Sequence, residues 1–256
     1  MTQAERRIYL IKYLLNENPQ YSGAVIPQNE AEQKRLLRGL FNVRMPKPIS
    51  TEFLEIQNDY LCEETARKGV TDYKDLSPVQ KGIYLWQGDI TALKCDGIVN
   101  AANSGMLGCF CPNHACIDNA IHTYAGVELR LYCNEIMEKQ GFPEPTGQAK
   151  ITPAFNLPCK YVLHTVGPII DGEPTAEDCG LLRLCYLSCL KEAVKNGLSS
   201  IAFCCISTGE FHFPNELAAQ IAIEAVKSFI EETKSEIEVI FNVFKEIDYR
   251  IYRKLL

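Results

Sequence analysis

The sequence predicts a layered α/β/α fold behind a small helical extension. Three observations lead there. Residues 1–75 carry apolar side chains at helical spacing. From Ile83 onward, short apolar and β-branched runs alternate with longer helical patterns, as in sheets whose strands are joined by helices. The length, 256 residues, suits one large α/β domain or a core domain with a smaller appendage.

The extension reads as three helices. Ile8, Leu10, Ile11, Leu14 and Leu15 make one apolar stripe. Asn29 is placed to cap a second helix, with Glu30 and Glu32 in its first turn and Leu36, Leu37, Leu40 and Phe41 on its apolar face. Met45-Pro46-Lys47-Pro48 ends it, because proline cannot continue a helix and restricts the residue before it. Ser50 can cap a third helix carrying Phe53, Leu54, Ile56, Tyr60 and Leu61 and ending near Gly69. Residues 1–75 hold no catalytic constellation and read as a layer packed on the main domain, 76–256. Asp72 to Pro78 is the expected linker.

The main domain follows in order. Strands are expected at Ile83–Gln87, Gly97–Ala101, Ala149–Thr152, Tyr161–Val166, Ser200–Ile206 and Ile237–Phe244. Helices are expected at Val127–Lys139, Glu177–Asn196, Pro214–Thr233 and Ile247–Leu256, and the apolar run before His122 looks like the start of another. Pro214 suits a helix start, where its missing N–H costs nothing. Ligand sites in such sheets lie on loops beyond the strand ends.

Composition narrows the function. A net charge of -6 argues against a duplex nucleic-acid binder, which would show a basic face. The N-terminus does not read as a signal peptide, since Lys12 interrupts its apolar residues, and no stretch reaches transmembrane length. A cytoplasmic location and no membrane partner are expected. The twelve cysteines should then be mostly reduced. Cys62, Cys95, Cys185, Cys189, Cys204 and Cys205 sit among apolar neighbours and read as small core residues.

Three loops carry chemistry. In Gly88-Asp89-Ile90-Thr91 a carboxylate follows a strand, where it could accept from an exocyclic amine or simply cap the next turn. In Ile206-Ser207-Thr208-Gly209-Glu210-Phe211-His212-Phe213-Pro214, hydroxyls and a glycine precede a helix, a setting suited to phosphate. It lacks the lysine of a P-loop. Glu210 is compatible with an anion only if its backbone N–H binds while its carboxylate points away. The third loop follows Asn100 and Asn103, strand-end amides suited to sugar hydroxyls. Cys109, Cys111, His114 and Cys116 form C-x-C-x2-H-x-C, and thiolates with imidazole are strong zinc ligands. Three ligands would leave an open position, four would close the site, and a merely cysteine-rich loop is the third reading.

Together these loops resemble a macrodomain, the module that binds ADP-ribose. The matching stretches are GDIT (Gly88–Thr91), VNAANSGMLG (Val99–Gly108), DNAIH (Asp118–His122), HTVGP (His164–Pro168) and STGEFHFP (Ser207–Pro214). The resemblance implies a three-layer α/β/α macrodomain with a central mixed sheet. The cysteine-rich 109–116 segment is similar to that of zinc-dependent, sirtuin-linked microbial protein-ADP-ribose hydrolases, which also carry a helical extension. That implies Zn2+ on Cys109, His114 and Cys116, with Cys111 a non-ligand, although the sequence leaves Cys111 open as a replacement for Cys109. It implies that Asp89 and Ile90 bind adenine and Phe244 stacks on it. Ser207, Thr208, Gly209, Glu210 and Phe211 would hold the pyrophosphate. Asn103, Ile117, Asp118 and Asn119 would close on the phosphates and distal ribose, with Asn103 and Asp118 the catalytic pair. The implied reaction is removal of mono-ADP-ribose from modified protein side chains, acidic ones foremost, by cleavage at C1 of the distal ribose. A lipoyl-carrier protein is the implied partner and ADP-ribose the product. The alternatives are a non-catalytic ADP-ribose reader with a structural zinc and a deacetylase of acetylated ADP-ribose.

Overall fold

A computed structural model describes residues 1–21 and 23–256. The extension forms α1 (Gln3–Asn16), α2 (Glu30–Val43) and α3 (Thr51–Lys68). Its caps are the expected ones: Asn29 Oδ1 accepts from the backbone N–H groups of Ala31 and Glu32, and Ser50 Oγ from Phe53. Gly69 closes α3 at φ +90°, a conformation open to glycine. Leu10, Ile11, Leu14, Leu37, Leu40, Phe41, Phe53, Tyr60 and Leu61 bury one another in a core of their own, joined by Val127 from the main domain.

The expected linker is pinned rather than free. β1 (Thr71–Asp72) pairs with β3 (Leu93–Lys94), which follows β2 (Ile83–Gln87). The buried Tyr73 donates its hydroxyl to Glu238 at 2.7 Å.

The remaining elements are β4 (Gly97–Ala102), α4 (Ile117–Ala125), α5 (Val127–Gln140), β5 (Ala149–Pro153), β6 (Tyr161–Val166), α6 (Ala176–Lys195), β7 (Ser200–Phe203), α7 (Asn215–Thr233), β8 (Glu238–Val243) and α8 (Glu246–Leu255). The main sheet runs β2-β8-β7-β4-β6-β5. All neighbours are parallel except β5, which is antiparallel to β6 at the edge. Ile98, Val99, Val162, Leu163, Ile201, Val239 and Ile240 are fully buried, as strands covered on both faces require.

Two expectations need correction. β7 ends at Phe203, not Ile206, because Cys204 to Ile206 leave the sheet for a loop whose Ser207 takes φ +64°. β4 meets β7 at only two register positions but meets β6 at six, so the chains part at the rim. Cys62 is exposed on α3 rather than a core residue, its Sγ 3.7 Å from Asn156 Oδ1.

Candidate active site at the C-terminal rim of the sheet

Because β2, β8, β7, β4 and β6 are parallel, their C-terminal ends share one rim. The loops after β2, β4 and β7 and the residue after β8 therefore converge there.

The loop after β4 carries the metal-type donors. The ligand atoms of Cys109, His114 and Cys116 all lie within 4.8 Å of one another. The Cys109 sulfur is 3.6 Å from His114 Nδ1. Cys111 stands outside this group, exposed to solvent. Cys116 also caps α4, its sulfur accepting from Asn119 N–H at 3.4 Å. Two sulfurs and an imidazole at this separation suit a soft or borderline divalent cation. With no cation, burial pushes the Cys116 thiol up to about 12, and the neighbouring Cys109 adds to the rise. A bound cation reverses that preference, because its ligands are thiolates.

Asp118 lies in the first turn of α4 and is buried. Its Oδ1 accepts from Asn100 Nδ2 at 2.8 Å and its Oδ2 from Asn103 Nδ2 at 3.2 Å. Burial pushes its carboxyl up to about 6, opposed by the Asn100 amide, the Arg130 charge and the Asn103 amide. Asn103 is half-buried and also donates to the Gly108 carbonyl. Asn100 is fully buried, so it holds Asp118 and faces His164 Nδ1 at 3.2 Å rather than meeting a sugar.

Asn119 follows Asp118 in α4. Its side chain is fully buried and committed. Oδ1 accepts from Arg38 Nη2 at 3.0 Å, and Nδ2 donates to the Cys111 and Cys109 carbonyls at 2.9 and 3.4 Å. It ties α2 to the metal-type loop. Ile117, the first residue of α4, is half-buried.

The loop after β7 is locally closed: His212 N–H donates to Gly209 O at 3.1 Å and Phe213 N–H to Ser207 O at 2.9 Å. Ser207 and His212 both take positive φ. The backbone N–H groups of Gly209, Glu210 and Phe211 find no partner among the described residues, an arrangement able to receive an anion. The Thr208 hydroxyl is turned back onto the Cys205 carbonyl at 3.0 Å. The Glu210 carboxylate approaches the metal-type loop, its Oε1 3.5 Å from His114 Nε2. The phosphate-type loop and the metal-type loop therefore face each other directly.

The far end lies at β2 and β8. Asp89 does cap the next turn, accepting from Thr91 N–H at 2.9 Å, and it also pairs with Lys68 at the end of α3. Ile90 is buried beneath it. Phe244 follows β8 with its side chain 76% exposed, an aromatic face open at the rim. Gly88 N–H donates to Val243 O at 3.0 Å, holding the two strand ends together.

The Macro domain family matches residues 99–222. A protein-ADP-ribose hydrolase of Treponema medium is 59% identical over 260 residues, covering all of both chains. The chain belongs to the macrodomain family. A protein-ADP-ribose hydrolase of Staphylococcus aureus (strain MRSA252) is 50% identical over 96% of this chain and 93% of its own. A Trypanosoma brucei macrodomain solved in complex with ADP-ribose superposes with a TM-score of 0.65 at 33% identity, covering 82% of this chain and 91% of that one.

Several residues that shape this macrodomain's rim gave no signal in the sequence. Arg38 on α2 donates to His114 O at 3.0 Å, and buried Asn42 accepts from Asn113 N–H at 2.9 Å while donating to Thr123 Oγ1. Arg130 on α5 donates to the carbonyls of Leu107 and Phe41, tying the loop before Cys109 to α2. Polar positions on a surface-type helix pattern do not announce contacts about 80 residues away. Among the described residues no helix is long and apolar enough to cross a membrane.

Proposed function

We propose that this macrodomain is a zinc-dependent protein-ADP-ribose hydrolase, removing mono-ADP-ribose from modified side chains, acidic ones foremost. Water adds at C1 of the distal ribose, the C1–O bond to the side chain breaks, and the carboxyl group leaves with ADP-ribose as the other product. The observation that carries this reading is the 3.5 Å approach of Glu210 to His114, because it sets a diphosphate-type cradle against a three-donor metal group. The chain's full-length relatives bearing the hydrolase name support it.

Each residue has a task in this account. Phe244 stacks on adenine, while Asp89, over Ile90, accepts from its amine. The N–H groups from Gly209 to Phe211 bind the pyrophosphate, in the turn that Ser207 and Thr208 enter. Asn103 orients the distal ribose, and Asp118 accepts a proton as water adds. Ile117 packs against the ribose side. Cys109, His114 and Cys116 hold the zinc, whose net charge with two thiolates and a neutral imidazole is near zero, favouring polarisation and orientation of ribose hydroxyls over hydroxide generation.

The test is a comparison of substrates. ADP-ribose release is followed from a mono-ADP-ribosylated protein, a modified lipoyl-carrier protein among the candidates, and from free acetylated ADP-ribose. Faster release from the protein is expected. Tight binding without release would mark a reader, and preference for the acetylated nucleotide would mark a deacetylase.

A further inference from the structure

His114 uses its two ring nitrogens in opposite directions. Nδ1 faces the Cys109 sulfur at 3.6 Å, inside the donor group. Nε2 faces Glu210 Oε1 at 3.5 Å, outside it. If Nδ1 gives its lone pair to a cation, the neutral ring carries its proton on Nε2, and that N–H needs an acceptor. Glu210 is the group placed to accept it. Its carboxylate lies on the side of the ring away from the sulfurs, so it is not itself a ligand.

The loop around Glu210 makes this contact more than a chance approach. The turn is fixed by its own backbone bonds, from His212 to Gly209 and from Phe213 to Ser207. Ile170 N–H donates to Phe211 O at 2.9 Å, anchoring the loop to the segment after β6.

We infer that Glu210 is the outer-shell carboxylate of the metal centre, a positioning residue that orients His114 and links the phosphate cradle to the metal loop. This rests on the reading that Cys109, His114 and Cys116 hold zinc. Outer-shell partners of this kind fix the tautomer and ring orientation of a ligating histidine and raise its basicity. The link also makes the two sites thermodynamically coupled, since whatever orders one loop orders its neighbour.

The test measures zinc affinity directly, by competition with a chelating dye, in wild type, Glu210→Ala and Glu210→Gln. Urea unfolding of the metal-stripped proteins is measured alongside. Loss of an outer-shell partner costs roughly 10–100-fold in metal affinity, and for so exposed a carboxylate we expect about tenfold in the alanine variant. The glutamine variant should recover most of it, because its amide oxygen still accepts from Nε2–H. The stripped variants should unfold at the wild-type urea midpoint. Equal zinc affinity in wild type and Glu210→Ala would overturn the inference, as would a glutamine variant no better than alanine. A stripped alanine variant that unfolds at lower urea would also overturn it, by showing that the lost affinity follows from a damaged fold. A wild type that holds no zinc would instead overturn the zinc reading beneath it.

Discussion

Asp118 sets burial against charge. Desolvation raises its carboxyl to about 6, while two amides and the Arg130 charge hold it back. At neutral pH it is therefore ionised, yet basic enough to take a proton in a reaction. Asp118→Asn keeps the shape and removes that ability. We expect kcat for ADP-ribose release to fall by about 100-fold or more, with ADP-ribose affinity within a few-fold of wild type. Single-turnover release with calorimetry separates the two quantities, and an undiminished kcat would remove Asp118 from the chemistry. Phe244 offers a second test at this scale. Its exposed ring is a surface for a base, and such stacking contributes about 1–3 kcal/mol. Phe244→Ala should weaken ADP-ribose binding accordingly, whereas unchanged affinity would place the adenine elsewhere.

Among the elements, α2 and the 109–116 loop belong together. Asn42 is buried with both ends of its amide engaged, at Asn113 N–H and Thr123 Oγ1. Asn113 itself sits at φ +56°. Asn42→Ala leaves these groups unpartnered, at a cost of about 1–3 kcal/mol. Urea unfolding should report that loss, and hydrogen exchange should show the Asn113 amide exchanging faster than in wild type. Protection equal to wild type would mean that α2 does not hold the loop. This is also the scale at which sequence reading succeeds and fails. Local rules place caps and strands: Asn29, Ser50, β2 and β6 lie where side-chain capping and apolar runs put them. Close spacing on one loop puts forward Cys109, Cys111, His114 and Cys116 together, and it is the family resemblance that sets Cys111 aside, where the structure also leaves it. The contacts of Arg38, Asn42 and Asn119 were illegible, because an amide or guanidinium does not reveal which distant backbone it will satisfy. The same holds for β7, whose apolar sequence runs on through Ile206 although the strand stops at Phe203. Cys204 and Ile206 are buried and Cys205 is half-buried, all three without strand pairing.

The whole molecule rests on two cores, one in the extension and one around the sheet, with buried polar groups between strands and helices. His122 and His164 are the sensitive ones. Burial pulls His164 down to about 3, and burial, with the charges of Arg130 and His164, pulls His122 well below its ordinary value. A histidine that the fold keeps neutral takes its proton on unfolding. Its contribution is complete above the unfolded value near 6.5 and is lost as pH falls from there toward the folded value. Unfolding free energy should therefore drop between pH 7 and pH 5, each such histidine adding at most about 1.4 kcal/mol per pH unit. His164→Asn should flatten the slope measured in urea, and an unchanged slope would show that His164 is not among the groups responsible.

The central claim joins the metal to the cleavage. ADP-ribose release from a mono-ADP-ribosylated protein, measured with bound zinc before and after a chelator, tests it most directly. Cys109→Ala, Cys111→Ala, His114→Ala and Cys116→Ala are assayed alongside. The account predicts one zinc per chain, loss of release on chelation with recovery on zinc return, and loss of both zinc and release in every variant except Cys111→Ala. Full release by the folded, metal-free protein would contradict it, and zinc lost from Cys111→Ala but kept by Cys109→Ala would contradict the ligand set.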